Sequence, residues 1–293
     1  MLIGVSIAVF LMVELTPGDP ATVLAGDTAS PAVIEQIRTE LGLDQPLPVQ
    51  YARFVERLVL RGSLGTSIRT GRDVTAEILD RLPYTLVLAL SAVVLSTLVG
   101  VTLGVIAAIN RGRRADLVTM GGAIIGLSVP TFYIALLMII LFSLTLHWLP
   151  VTGAGSWKNL VMPAVALSLH SAAVKARITR ASMLEVLGQE YLRTARAKGL
   201  RERAVVVRHA LRNALIPIST LVGLQFGGLL GGAFIIENIF AWPGVGRLAV
   251  QAIFTRDFPI IQGTVLLVAA AYLVANLAVD ILYAWLDPRI RYG

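Results

Sequence analysis

QEYLRTARAKGLRERAVVVRHALRNALIP, residues 189–217, decides how this chain is read. It is a long polar, strongly basic run between two strongly apolar ones. Glu190 to Lys198 reads as a short helix, with Ala195 and Ala197 as good helix formers. Gly199 stands where a helix end takes a left-handed residue, and Arg196 and Lys198 fall in the last turn, where cations suit the dipole. A second helical run starts near Glu202, and by Pro217 the sequence is back among apolar residues. A short helix held at a membrane surface by two spans suits a lever that a soluble partner pushes on. Composition alone favours a plainer reading, a solvated loop whose arginines only set topology.

The rest of the chain is apolar. Of its 293 residues 56% are hydrophobic, and the mean hydropathy is +0.77. Soluble domains stand at about 45–50% apolar. Several runs exceed the ~18 apolar residues that mark a transmembrane helix. The expected class is therefore an all-α polytopic membrane protein. The absence of cysteine excludes disulfides and thiolate metal sites. A net charge of +7 raises the question of nucleic acid. The arginines, however, flank the apolar runs without interleaved aromatics, so they set topology and no nucleic-acid partner is expected.

Working outward, residues 1–15 form a first span that is short for a ~30 Å core at about 1.5 Å per residue. A signal peptide would need a positive leading region and a small-residue cleavage site, and neither is there. The preferred reading is a span clipped at its start, with Glu14 at its outer interface. Residues 16–80 are a polar extracytoplasmic insert. It opens on the turn residues of TPGDP, and Pro31 begins the helical PAVIEQIRTEL. The amphipathic VQYARFVERLVL follows, and a further short helical piece ends at Pro83. Within residues 81–286 come spans at about 84–109, 117–146, 160–177, 213–236 and 259–286, a loop at 185–212, and then a tail at 287–293. Pro130 is expected to kink the third span, and Trp148 and Trp157 to anchor an outer loop. Placing residues 110–116, 175–212 and 287–293 inside gives 15 basic against 5 acidic residues there, and 10 against 11 outside. That bias predicts six spans with both ends cytoplasmic.

Candidate sites stand against plainer explanations. Gly223, Gly227, Gly228, Gly231 and Gly232 put small residues four apart along one side of the fifth span. Such a face lets another helix approach closely, within this chain or in a partner. His170, ten residues into the fourth span with Lys175 five further on, is a functional candidate by depth. A neutral histidine bonded to a backbone carbonyl would explain it as well. Asn276 and Asp280 share a face of the sixth span, and Asp280 is expected to pair with a loop arginine near the inner interface. No catalytic or metal-binding constellation is present, and no G-x-x-x-x-G-K-[ST] could cradle ATP phosphates. The chain is expected to hold no cofactor and not to be an enzyme.

The run TARAKGL…RHALRNALIP resembles the EAA loop, or coupling helix, of ABC importer permeases in the form found in the dipeptide/oligopeptide family. TPGDP, LGLDQPLPVQY, LGTSIRTGR, ENIFAWPGVGR and YAWLDPRIR extend that resemblance over nearly the whole chain. Aligned on Gly199, the acidic residue of the general pattern falls at Arg193 and its proline near Arg212, as is usual in peptide-type subunits. The resemblance implies a type I ABC transmembrane (MetI-like) fold with an outer insert after the first span. It implies the first of two permease subunits of a bacterial inner-membrane importer. Members begin with extra residues before the first span. The partners implied are a sister permease, two ATPase subunits or domains that bind ATP and Mg, an extracytoplasmic substrate-binding protein and membrane lipid. Peptide is the cargo implied, with nickel, haem or another small solute as alternatives. ATPase contacts are expected from Glu190, Tyr191, Arg193, Thr194, Ala195, Ala197, Lys198, Gly199 and Leu200. The glycine-rich span is expected to face the sister permease. An ion-driven secondary transporter would carry inverted repeats and broken helices with midplane charges, of which the sequence gives no convincing sign. A non-transporting scaffold would need no ATPase.

Overall fold

The computed structural model describes residues 2–15, 20–25 and 29–286, and the described residues are almost entirely helical. In chain order, α1 is Leu2–Leu15, α2 Pro20–Ala25, α3 Pro31–Leu41 and α4 Leu47–Arg61. The long α5 covers Val74–Ile109, followed by α6 (Arg114–Ser128) and α7 (Thr131–Met138), which π-helical turns extend to Thr145. Next come α8 (Trp157–Leu187), α9 (Glu190–Ala197) and α10 (Glu202–Ala204). π-Helical turns over Val205–Ala210 lead on to α11 (Leu211–Ala214). The chain closes with α12 (Ile216–Ile239), α13 (Val245–Thr255) and α14 (Phe258–Leu286).

Local sequence explains many of these boundaries. Pro31 sits at the start of α3, where its missing N–H costs nothing, and Gly42 ends that helix at φ 70°. Gly62 ends α4 in the same left-handed way. The sequence places a break at Pro83, but α5 runs straight through it. One interior proline removes a single backbone bond, and 36 residues of apolar helix absorb that loss. Pro130 does more than kink. Its segment Arg114–Ser128 meets Thr131–Thr145 at 103°, a sharp corner rather than a slight bend within one rod. Proline disfavours helix at the residue before it, and Val129 accordingly lies in extended backbone.

The chain forms two compact units. One comprises Met1–Thr85 with Pro243–Ala271, the other Leu86–Trp242 with Tyr272–Gly293. In the first, Val9, Phe10, Phe54 and Leu266 form a core patch, with Tyr51 edge-on to Phe10 at 5.5 Å. A second patch joins Val74 and Ile78 to Val245, Leu248, Ala252 and Ile260. Two buried carboxylates stitch the loop after α4. Asp257 accepts from Ser67 Oγ at 2.5 Å and from the Ile68 amide at 3.2 Å, and Glu77 accepts from Thr70 Oγ1.

The second unit is cored by alanine as much as by larger residues. Leu88, Ala92, Ala135, Met162, Ala164, Ala166, Leu167, Ala233, Ile236 and Phe240 pack together. Small residues of this kind let apolar helices approach closely in lipid. The outer face of α5 carries Leu90, Val94 and Leu98, each more than half exposed. An aliphatic stripe turned outward reverses the soluble pattern and suits a hydrocarbon surrounding. Among the described residues, Val74–Ile109 is one helix long and apolar enough to cross a membrane, and counting each bent pair as one span gives up to three.

Candidate functional site

The polar stretch at residues 189–217 folds as a hairpin of short helices in the second unit. Gln189 leaves α8 in extended backbone, Glu190 occupies the first turn of α9 and Arg196 the last, matching the helix dipole. Gly199 then takes φ 77°, with its amide donating to the Arg196 carbonyl, and Leu200 N–H returns to Ala195. An eight-residue helix is marginal by itself, so α9 owes its order to docking. Two residues one turn apart do the docking: Leu192, fully buried, and Ala195. They pack among Ala108, Met183, Val205, Val206, Ala210 and Ala214.

Of the residues singled out in the sequence, Glu190, Tyr191, Arg193, Thr194, Ala197, Lys198, Gly199 and Leu200 are exposed. Ala195 lies on the opposite, buried face. The exposed face is held in place from its ends. Arg196 donates to Glu202 through two bonds of 2.9 and 3.0 Å, tying α9 to α10 across the Gly199 turn. Those hydrogen bonds push the Arg196 guanidinium up and hold the Glu202 carboxyl below its usual range. Asn213 Nδ2 donates to Tyr191 Oη at 2.7 Å and to the His209 carbonyl, fastening α9 to the π-helical turns and α11. A pocket of about 490 Å³ opens beside this hairpin, with Val105, Ala108, Leu187 and Val206 in its wall and Arg196, Glu202 and Arg203 on its polar side.

The arms leading to the hairpin are braced by contacts that sequence reasoning missed. Arg180 on α8 grips Asp116 of α6 through two bonds of 2.6 and 2.8 Å, and the Gly112 amide adds a third at 3.0 Å. The Arg180 bond, then the Gly112 amide, lower the Asp116 carboxyl to about 2, and the same pair raises Arg180. Gly100 and Gly104 of α5 lie so close to α8 that a Cβ would come within 2.7 Å of Ala172 O and 2.5 Å of Thr179 Cβ. Their spacing of four was available in the sequence as the same small-residue signal noted in the fifth span. Lys175, grouped by charge with the inner loops, is instead fully buried and donates to Ser96 Oγ at 2.7 Å.

The remaining candidates scatter. Gly228 and Gly231 of α12 are exposed, and no atom of the described residues comes within 4 Å of where a Cβ would stand on either. Gly223 is half-buried. The surroundings of Gly227 and Gly232 lie outside the described residues, as do the side chains of Glu14 and Asp280 and the 287–293 tail. Asn276 has a buried Oδ1 without a partner among the described residues. His170 is exposed on a pocket wall in the middle of α8. Among the described residues no cluster of His, Asp or Glu is grouped to hold a metal ion.

The chain as a whole is similar to known transport proteins. The family described as "Binding-protein-dependent transport system inner membrane component" matches residues 100–292. Its companion, "Binding-prot-dependent transport system membrane comp, N-term", matches residues 1–89. The "Glutathione transport system permease protein GsiC" of Salmonella paratyphi A is 46% identical over 99% of this chain and 95% of its own length. That of Pectobacterium atrosepticum is 47% identical over the same shares. That of Escherichia coli K12 is 46% identical over 98% of this chain and 94% of its own. Among solved structures, the inward-facing MetNI methionine ABC transporter aligns with a TM-score of 0.63 at 17% identity, over 73% of this chain and 97% of that one. An amino acid ABC transporter crystallised with histidines aligns at 0.55 and 20%, over 74% and 95%. Both establish the all-helical fold of such membrane subunits.

Proposed function

The chain belongs to the family of inner-membrane components of binding-protein-dependent transport systems, and on that premise we propose that it forms half of a peptide-conducting path, driven through α9. It is a permease subunit of an ABC importer. ATP and Mg are handled by separate ATPase subunits, and a sister permease and a periplasmic binding protein complete the system. The cargo proposed is a small peptide of the glutathione class, which the names of the relatives at 46–47% identity support. Nickel, haem or another small solute is the alternative cargo.

The observation that carries the coupling role is the division of α9 into two faces. Leu192 and Ala195 hold it to the body of the subunit, while Glu190, Tyr191, Arg193, Thr194, Ala197 and Lys198 face outward with Gly199 and Leu200. A docked helix with one free face, stiffened at both ends by the Arg196 and Tyr191 bonds, supports the reading of α9 as a knob that another protein grips. ATP binding shifts a transporter only by its differential affinity for two states, and α9 is where that difference reaches this subunit. The six-span topology with both ends cytoplasmic and residues 16–80 outside belongs to the same proposal. It rests on the basic bias of the short inner loops.

A broken helix such as α6/α7 is also a feature of ion-driven transporters. Family membership, rather than the break, decides for the ABC importer. Uptake into vesicles that needs both the binding protein and ATP, and that vanadate blocks, is the expected result. Uptake driven by an ion gradient alone would overturn the assignment.

A further inference from the structure

We propose that the pocket at the break between α6 and α7 contacts the cargo in transit, with His170, Ser171 and Thr131 receiving the C-terminal carboxylate of a peptide. The inference rests on the peptide reading above and deepens it.

The pocket lies wholly within the second unit and encloses about 260 Å³. Leu167, His170 and Ser171 share one face of α8 at helical spacing, and Ile235 and Ile236 of α12 supply an aliphatic wall. Thr131 and Phe132 enter at the start of α7, just past the 103° break. Ser171 is 5% exposed, yet its hydroxyl has no partner among the described residues. The His170 ring and the Thr131 hydroxyl likewise have none. A histidine satisfied by a backbone carbonyl, the plainer explanation of His170, is therefore not what the structure contains.

His170 is exposed, Thr131 half-buried and Ser171 buried, so all three polar groups on this wall are open to a ligand that enters the pocket. An imidazole and two hydroxyls can all donate, and among the described residues no acidic side chain lines the cavity. A carboxylate is the acceptor-only group that fits, and it would also favour the positive end of the dipole at the start of α7. The volume falls below the roughly 300–1,000 Å³ of pockets that swallow a whole ligand. It suits one end of a peptide, set in apolar walls that bind weakly enough to release it.

The test uses the complete importer in proteoliposomes, with glutathione and its C-terminal amide each saturating the binding protein. The ratio of the two uptake rates then reports passage through the membrane subunits. In the wild type the acid is expected to move about tenfold faster or more, the scale of a lost hydrogen bond to a charged group. His170→Leu and Ser171→Ala should each compress that ratio to about threefold or less, while His170→Gln, which keeps a donor, should restore it. A merely structural role would slow both cargoes together. A wild-type ratio near one, or a ratio unchanged in both His170→Leu and Ser171→Ala, overturns the proposal. Failure of the wild type to import any peptide overturns the peptide reading first, and the proposal with it.

Discussion

Leu192→Ala is the sharpest probe of how this subunit is driven. Leu192 is fully buried, and with Ala195 it is what fastens an eight-residue helix to the body of the subunit. Truncating a buried leucine costs about 2–5 kcal/mol, depending on how far the site collapses. Its neighbours Met183 on α8 and Val205 and Val206 on the π-helical turns belong to two different segments, so collapse is restricted. At about 1.4 kcal/mol per decade, the ratio of docked to undocked α9 should fall roughly 30- to 4,000-fold. Hydrogen exchange in the assembled complex reads this directly, since the amides of α9 should exchange at least about thirtyfold faster. Uptake per ATP hydrolysed should fall in step, because an undocked knob moves without pulling its subunit. Exchange within threefold of wild type, together with an unchanged uptake-to-hydrolysis ratio, would refute the idea that Leu192 anchors the lever.

Four further outcomes follow from the same geometry. A cysteine at the exposed Thr194 should cross-link to the ATPase, whereas one at the buried Ala195 should react far more slowly; equal yields would place the contact elsewhere. Gly199→Pro, which cannot adopt φ 77°, should uncouple transport while leaving membrane insertion intact. Gly199→Asn should retain most coupling, since asparagine tolerates the left-handed region. Asp116→Asn should lower thermal stability by the same amount at every pH from 5 to 8. The Asp116 carboxyl is lowered from its usual 3.8 to about 2, so its contribution is complete above the usual value and fades only as pH falls toward 2. A mutant-to-wild-type gap that changes between pH 5 and 8 would contradict this. Leucine at both Gly228 and Gly231 should cut recovery of the sister permease in pull-downs, and unchanged recovery would assign that face to lipid.

Much of the hairpin was legible because its signals are local. Glycine at position 199 needs no tertiary partner to demand a left-handed turn, and the helix before it ends at Ala197, one residue short of the expected Lys198. The family too was readable, since TARAKGL and RHALRNALIP are long, specific strings. What escaped were features fixed at a distance. Asp116 and Arg180 are 64 residues apart, and nothing near either announces the other. Burial of Lys175 depends on Ser96 and on the missing side chain of Gly100, so charge counting alone put it with the loops. Pro130 announced a disturbance but not its angle, because the corner depends on what each arm packs against. Gly100 and Gly104 carry the right spacing, but two glycines give a weaker signal than the five clustered in α12.

The close seating of α5 on α8 has a mechanical consequence. With Gly100 and Gly104 set against α8, a side chain at either position would collide with it, so the two rods keep their close approach only while both positions stay bare. Two rods so closely seated would travel as one beam. That beam is about 46 Å long on the α8 side, from 31 residues at about 1.5 Å each. The Ser171 hydroxyl sits near its middle, and α9 follows its far end after two residues. A displacement imposed on the knob would therefore arrive at the cavity as tilt, with little lost to flexing along the way.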